Sequence, residues 1–173
     1  PPPPPPRRLV GSRVGFGLAE PGDAPDLVRL YGFGAERPEG PSSSRPPSAP
    51  GTERALTETL VARIGRSVAG AALLTWYPEE APGGPGWWLF GMVVRQKFRG
   101  AGLGEGLLRL ALERTSAHGA DRLRLLVPED AGPARALYEK AGFTPATVPG
   151  LSEGLEEEAR LQGRRRVLLC RPL

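Results

Sequence analysis

Residues 87–106 constrain the fold of this chain more than any other stretch. They read Trp-Trp-Leu-Phe-Gly-Met-Val-Val-Arg-Gln-Lys-Phe-Arg-Gly-Ala-Gly-Leu-Gly-Glu-Gly. The apolar run from Trp88 to Val94 predicts a buried strand, and apolar residues at helical spacing from Leu103 onward predict a helix. The glycines therefore fall where a helix begins. Unpaired amides and the helix dipole make such a start an anion site, and glycine lets a phosphate approach the bare backbone.

The spacing of these glycines argues against two common phosphate-binding motifs. A Walker loop ends in Lys-Ser/Thr, whereas Leu103-Gly104-Glu105 follows here. A dinucleotide fingerprint requires Gly-x-Gly-x-x-Gly, but Gly102, Gly104 and Gly106 stand in the register Gly-x-Gly-x-Gly. Neither a nucleoside triphosphate nor a dinucleotide is therefore favoured.

Two segments match a different family. Arg99, Gly102 and Gly104 fit Arg/Gln-x-x-Gly-x-Gly, which resembles the acetyl-CoA loop of the GNAT superfamily of N-acetyltransferases. Downstream, residues 134–143 read Ala-Arg-Ala-Leu-Tyr-Glu-Lys-Ala-Gly-Phe and are similar to the Ala-x-x-Leu-Tyr-x-Lys-x-Gly-Phe helix of that family. Either segment alone is also compatible with a helix cap or an ordinary amphipathic helix, so the resemblance depends on both occurring in this order.

The resemblance implies a site for acetyl-CoA as co-substrate. A strand edge would pair with the pantetheine amides, and the loop amides would hold the diphosphate, with added charge from an arginine. The residues implied in cofactor binding are Met92, Val93, Val94, Arg99, Gly100, Ala101, Gly102, Leu103 and Gly104. Tyr138 would protonate the departing thiolate, because a phenol with a pKa near 10 is protonated at neutral pH. The alternative for Tyr138 is packing alone.

The sequence departs from the family at two positions. Many relatives begin the second helix with an Asn that bonds the pantetheine, and Ala131 stands at the matching position. The central strand carries no carboxylate or histidine, so no general base is evident there. Glu79, Glu80, Glu129 or a chain of waters could serve, and an amine that arrives neutral requires no dedicated base.

The predicted elements alternate in the order β, α, short α, β, β, β, α, β, α, β, β. The pattern predicts an α/β (α+β) fold with a mixed sheet and helices on both faces. The order also resembles the GNAT fold, which implies a mostly antiparallel central sheet of about six to seven strands. The helices are predicted at Asp23–Tyr31, Thr52–Thr59, from Leu103 to a close at His118-Gly119, and from Pro133 to Ala141. The strands are predicted at Arg13–Ala19, Leu60–Ile64, Val68–Tyr77, Trp88–Val94, Arg122–Val127, Phe143–Val148 and Arg165–Leu173.

We expect one acetyltransferase domain over residues 13–173, preceded by a flexible or tag-like tail at residues 1–12. Residues 32–51 are rich in Pro, Ser and Gly and predict a mobile loop. This loop is either a lid beside the acceptor or a plain linker. An acidic run at residues 153–158 predicts a solvated face, with attraction of a cationic acceptor as the alternative.

Composition excludes several classes of protein. The net charge is +4, but the basic residues are scattered arginines and no aromatic-studded basic groove is visible, so we do not expect nucleic acid binding. No apolar run approaches a membrane span or a signal-peptide core, which favours a cytoplasmic protein without membrane contact. No spacing of His, Cys and carboxylates indicates a metal.

The resemblance therefore implies an N-acetyltransferase that transfers the acetyl group of acetyl-CoA to a primary amine of a small molecule or peptide, by direct attack on the thioester. One alternative is a non-catalytic acyl-CoA-binding sensor or partner subunit. Another is an acetyltransferase for protein N-termini or aminoacyl-tRNA. The acceptor cannot be read from the sequence, and the oligomeric state is left open, with a homodimer among the alternatives.

Overall fold

The computed structural model describes residues 13–32, 56–78 and 85–173. The elements in these ranges are β1 Val14–Leu18, α1 Ala24–Tyr31, β2 Leu56–Ile64, β3 Ser67–Tyr77, β4 Gly86–Val94, α2 Leu103–Ala117, β5 Arg122–Pro128, α3 Gly132–Lys140, β6 Thr144–Pro145, α4 Pro149–Gln162 and β7 Arg166–Pro172. The predicted tail lies outside the described residues, as does the predicted mobile loop apart from Gly32. The domain bounds therefore stay predictions.

The described strands form one sheet in the order β1-β2-β3-β4-β5-β7-β6. Its pairs are antiparallel except for β4 and β5, which run parallel. A parallel pair needs a crossover connection, and α2 supplies it. The predicted mixed, mostly antiparallel sheet is therefore confirmed.

Helices cover both faces of the sheet. Neighbouring residues of a strand point to opposite faces, and the paired residues Leu60 and Ala72 belong to the main core, against which α2 and α3 pack. The adjacent pair, Val61 and Ala71, belongs to a second cluster, which α1 covers. The two buried clusters therefore lie on opposite faces. None of the described helices combines the length and apolar character needed to cross a membrane.

The predicted short helix at Thr52–Thr59 is wrong where it can be compared. Residues 56–59 belong to β2, and Leu56 pairs with Trp76 at the far end of the β2–β3 hairpin. Cross-strand pairing along β3 therefore overrides the local preference. The hairpin turns tightly at Gly65 and Arg66, because Ile64 pairs with Ser67 and Gly65 has a φ of +62°.

The end of the chain differs from the prediction in two respects. The strand predicted at Phe143–Val148 is reduced to Thr144–Pro145. The Ala146 amide still donates to the Leu168 carbonyl of β7 at 3.0 Å, and α4 begins soon afterwards at Pro149. The acidic segment was predicted as a solvated face, with attraction of a cationic acceptor as the alternative, and no secondary structure was predicted for it. It forms α4, which starts at Pro149 and ends before Gly163, where φ is +68°. Pro at the first helical position and Gly after the last one are the signals that could have identified this helix.

Candidate functional site

The strands β4 and β5 diverge beside the apolar run that the sequence singled out. Their pairing is confined to the segment from Trp87 to Leu89. On its other side β4 stays paired with β3 as far as Val94. Within the described ranges, the edge of Met92–Val94 that faces β5 therefore has no strand partner. An unpaired edge of this kind can accept a further extended chain through its amide and carbonyl groups.

A β-bulge lies where the two strands separate. The pairing of β4 with β3 shifts between Phe90, which pairs with Leu73, and Val93, which pairs with Ala71. Gly91 lies within this shift and has a φ of +55°, a conformation that favours glycine. A bulge bends its strand and increases the local twist. The divergence of β4 from β5 follows from this bend.

The loop between β4 and α2 presents bare backbone. Gly100 and Gly102 have φ angles of +79° and +82°, and an added Cβ at either would meet no atom within 4 Å. The Phe98 and Arg99 amides donate to the Arg95 and Gln96 carbonyls, and the next amide with a backbone acceptor among the described residues is that of Gly106, which donates to the Gly102 carbonyl at 3.0 Å. The amides from Gly100 to Glu105 are thus available to an anion at the positive end of a 15-residue helix.

The side chain of Arg99 lies at the junction of these two features. Its Nε donates to the Val94 carbonyl at 3.1 Å, so the guanidinium is held against the end of β4. The remaining guanidinium donors can carry positive charge toward a phosphate. One carbonyl of the predicted cofactor strand is therefore already engaged within the chain.

The helix α3 packs beside the loop at the start of α2. A Cβ on Gly104 would lie 3.3 Å from Leu137 Cδ2, and Lys140 Nζ lies 3.5 Å from Glu105 Oε2. Tyr138 follows Leu137 on this helix. The two segments that carry the sequence resemblance are therefore brought together in space.

Tyr138 is half-buried, with its ring edge against Phe143 at a centroid distance of 5.9 Å. Burial raises the pKa of the Tyr138 phenol to about 12. The hydroxyl therefore keeps its proton at neutral pH, and it has no hydrogen-bond partner among the described residues. It can donate to a thiolate, although its acidity is weaker than that of a free phenol.

The start of α3 matches the predicted departure from the family. Ala131 is the N-cap residue, and its side chain makes no capping hydrogen bond. Of the candidate bases, Glu129 is exposed, while Glu79 and Glu80 lie outside the described residues. No group of three or more His, Cys, Asp or Glu side chains in the described ranges could hold a metal ion.

His118 lies at the other end of α2, as predicted, where it is the C-cap residue. Its Nε2 lies 2.8 Å from Glu58 Oε1, and its ring stacks on Trp87 at 4.4 Å. Arg114 donates to the same carboxylate and holds the pKa of Glu58 below its usual range. These contacts join α2, β2 and β4 and contribute no group to the cofactor loop.

The aromatic residues near β4 are divided between the two faces of the sheet. Trp76 and Trp87 pack with the main core, whereas Trp88 stacks with Phe90 at 6.0 Å, and Phe90 also meets the edge of Tyr77. The pleat of β4 places Trp87 and Trp88 on opposite faces. The alternation of side chains along β4 was the signal that could have shown this.

Contacts from α1 to β4 were missed by the sequence reasoning. Tyr31 Oη donates to the Gly91 carbonyl at 2.9 Å, and Asp26 Oδ1 accepts from Arg95 Nη2 at 3.3 Å. Burial raises the pKa of Tyr31 to about 12, so its hydroxyl stays a donor. The residue pairs are 60 and 69 positions apart, and no local pattern reveals such contacts.

Comparison with known proteins gives the family. Residues 27–143 match the Acetyltransferase (GNAT) family. The chain belongs to this family. The GNAT fold binds acetyl-CoA.

Individual relatives agree with this assignment. Mycothiol acetyltransferase of Corynebacterium glutamicum (strain R) is 53% identical over 49 residues, which cover 28% of this chain and 17% of that protein. The chain thus spans only a small part of the curated relatives it matches. The ribosomal-protein-S18-alanine N-acetyltransferase of Escherichia coli shares the fold, with a TM-score of 0.62, 20% identity and coverage of 92% and 94% of the two chains.

A further neighbour contains the cofactor. A Bacillus anthracis protein solved in complex with acetyl coenzyme A has a TM-score of 0.54 and 16% identity, over 68% of this chain and 63% of that one. At this identity the similarity concerns the fold alone.

Proposed function

We propose that this acetyltransferase transfers the acetyl group to a primary amine, which attacks the thioester directly. The observation that carries the proposal is the meeting of three features at one end of the sheet: the unpaired edge of Met92–Val94, the bare amides of Gly100–Gly104 and the helix of Tyr138. Acetyl-CoA supplies an activated acetyl thioester. The chain's own residues then have to bind it, admit the amine and provide a proton.

In this proposal, acetyl-CoA is bound mainly by backbone groups. Extended pantetheine carries amide groups that complement the free edge of β4, as an added strand would. The amides from Gly100 to Gly104 suit the diphosphate, because they point outward at the positive end of α2. Arg99 adds charge at the same place while holding the end of β4. The residues present therefore fit the cofactor, with its phosphates held mainly by backbone amides and not by a pocket of cationic side chains.

The proton is assigned to Tyr138. When the amine attacks, a carbon–nitrogen bond forms, the carbon–sulfur bond breaks and the thiolate takes the proton of the Tyr138 hydroxyl, which has no partner in the described ranges and lies on the helix that borders the loop. The nitrogen is positively charged after the attack and releases a proton to solvent, and solvent returns a proton to Tyr138. No carboxylate or histidine lies on the strand segment Trp87–Val94, so the amine enters in its neutral form. The rate should therefore rise with pH until the acceptor amine is fully deprotonated.

The acceptor is tested with a screen. The protein is incubated with acetyl-CoA and a panel of small amines, amino acids, aminoglycosides, peptides and the acceptor of mycothiol acetyltransferases. Free thiol and the acetylated product are then measured together. Formation of an acetylated amine with matching thiol release supports the proposal. Saturable acetyl-CoA binding with no product from any amine would favour the alternative of a non-catalytic acyl-CoA-binding protein, and product from peptides alone would favour protein N-termini.

A further inference from the structure

The helix α1 contacts the predicted cofactor strand at both of its ends. Tyr31 donates to the carbonyl of Gly91, and Asp26 accepts from the guanidinium of Arg95, at 2.9 and 3.3 Å. Gly91 is the residue before Met92, and Arg95 is the residue after Val94. The two contacts therefore bracket the three residues assigned to the pantetheine arm.

These contacts lie on the part of β4 that is no longer paired with β5. Pairing with β5 ends at Leu89, and the bulge at Gly91 interrupts the ladder with β3. A strand with one free edge and a bulge is more easily displaced than one held on both sides. A hydrogen bond to the Gly91 carbonyl fixes the bulge from the face of the sheet, where it does not occupy the free edge.

The other end is fixed through a shared carboxylate. Asp26 Oδ2 accepts from the amide of Val68 at 2.9 Å, while Oδ1 faces Arg95. The amide of Arg95 also donates to the Ala69 carbonyl at 2.8 Å. The carboxylate thus joins α1, the start of β3 and the residue that follows β4.

The helix α1 is itself held by packing on a buried apolar cluster. Its residues Leu27, Leu30 and Tyr31 pack on the buried cluster of Val61, Val68 and Ala71. A helix anchored on β2 and β3 can transmit their position to the free segment of β4.

We propose that α1 clamps the cofactor strand, with Tyr31 and Asp26 as positioning residues that hold the Met92–Val94 edge in the geometry required by the pantetheine arm. This inference rests on the assignment of that edge to acetyl-CoA under the proposed function. It predicts that removal of either contact weakens binding of the pantetheine half of the cofactor and leaves binding of the nucleotide half unchanged.

The test compares two ligands by calorimetry. One is acetyl-CoA, and the other is adenosine 3′-phosphate 5′-diphosphate, which keeps the phosphates and lacks the pantetheine arm. Tyr31→Phe keeps the ring and removes the donor. It should weaken acetyl-CoA binding about 5-fold, the effect of one neutral hydrogen bond, and leave the affinity for the nucleotide unchanged. The KM for acetyl-CoA should rise while kcat and the KM for the acceptor stay near their wild-type values.

Asp26→Asn tests the other end of the clamp. The variant keeps an oxygen for the Val68 amide and removes the charge that faces Arg95, and we expect about 3-fold weaker acetyl-CoA binding with unchanged nucleotide binding. Arg29→Ala is the matched control. Arg29 also pairs with Asp26, at 3.5 Å, but its side chain is 73% exposed and forms no hydrogen bond or ion pair with β4 among the described residues. It should bind both ligands as the wild type does.

A second control separates positioning from stability. Thr115→Val removes a buried hydroxyl that donates to the Ala111 carbonyl at 2.7 Å, in the last turns of α2. It should lower the melting temperature about as much as Tyr31→Phe does, without changing the affinity ratio of the two ligands.

The outcomes distinguish the clamp from the site on which it rests. If the wild type binds acetyl-CoA more tightly than the nucleotide and both clamp variants keep that advantage, the clamp is refuted and the site stands. If the wild type gains no affinity from the pantetheine arm, the assignment of Met92–Val94 fails and the clamp fails with it. Equal losses for both ligands in the clamp variants would also refute the clamp, because they indicate general loosening of the fold.

Discussion

The first and last turns of α2 satisfy their polar groups in opposite ways. At the first turn, Gly100 and Gly102 adopt positive φ angles in open space, and the amides up to Glu105 have no backbone acceptor in the described part of the chain. At the last turn, the Gly119 amide donates to Ser116 at 2.9 Å, and Glu58 is held by both Arg114 and His118. The C-terminal end of α2 is called the closed end, because its polar groups are paired within the protein. The N-terminal end is called the open end, because its amides have no backbone acceptor among the described residues.

The difference separates stability from function along one helix. Unsatisfied helix amides are costly when buried and harmless when exposed, so an open first turn is tolerable only at the surface, where a ligand can use it. The closed end joins three elements, since Glu58 lies on β2 and His118 stacks on Trp87 of β4. Changes at the open end should therefore affect the cofactor, and changes at the closed end should affect folding.

The largest expected effect concerns Tyr138, on the helix that borders the open end. Tyr138→Phe should lower turnover about 10²- to 10⁴-fold, as expected for loss of a positioned acid, with acetyl-CoA affinity nearly unchanged. Thiol release at saturating acceptor, together with calorimetry, measures both quantities. Equal turnover in the variant would leave Tyr138 with a packing role only, and Tyr138→Ala would then be harmful solely through the cavity it creates.

The next effect compares two glycines at the two ends. Gly102 and Gly119 have φ angles of +82° and +75°, and an added Cβ meets nothing within 4 Å at either position. Valine should strain the backbone equally at both positions, but Gly102→Val should weaken acetyl-CoA binding about 10²-fold, since a side chain blocks close approach of the phosphates. Gly119→Val should bind normally. Gly104→Val is a less clean test, because its side chain would also press on Leu137.

The contribution of Glu58, at the closed end, to the free energy of unfolding should decrease at acid pH. Its pKa is lowered, chiefly by the hydrogen bond from Arg114, so its contribution is present above the ordinary pKa of 4.5 and is lost as pH falls through the lower folded pKa. Glu58→Gln should cost about 1.5 kcal/mol of unfolding free energy at pH 7 and much less near pH 3. Urea denaturation at the two pH values measures this. A cost that does not depend on pH would contradict the role of the charge.

The smallest effect adds a contact at the start of α3. Ala131→Asn should tighten acetyl-CoA binding about 5-fold, near 1 kcal/mol, by supplying the amide that many relatives have. Ala131→Asp is the matched control, because it can also cap the helix but offers no N–H. Calorimetry that shows the same change for both variants would indicate a helix effect and not a contact with the cofactor.

Much of the fold followed from local patterns. The glycine loop, the period of α2 from Leu103 and the cap at His118 were visible because each depends on residues close in sequence. The helix predicted at Thr52–Thr59 failed because pairing with β3 decides the state of residues 56–59. α4 was missed because an acidic run predicts exposure to solvent but not a particular secondary structure. The signals for a helix are Pro149 at its start and Gly163 after its end.

The candidate site was predictable only in part. A site built from backbone amides can be predicted from the sequence, because the positive φ angles of Gly100 and Gly102 favour glycine at these positions. The contacts of Tyr31 and Asp26 with β4 leave none, because they depend on how α1 crosses the sheet. The roles of Tyr138 and of the cofactor strand stay predictions.

The most direct test of the open end is an ¹⁵N-resolved titration of the backbone amides with acetyl-CoA. The account predicts large shifts of the amide signals of Gly100, Ala101, Gly102, Leu103 and Gly104, since hydrogen bonds to a diphosphate change their environment directly. The signals of His118 and Gly119, at the closed end of the same helix, should stay in place. Saturation with acetyl-CoA that leaves the loop amides unchanged, or that moves those of His118 and Gly119 instead, would contradict the account.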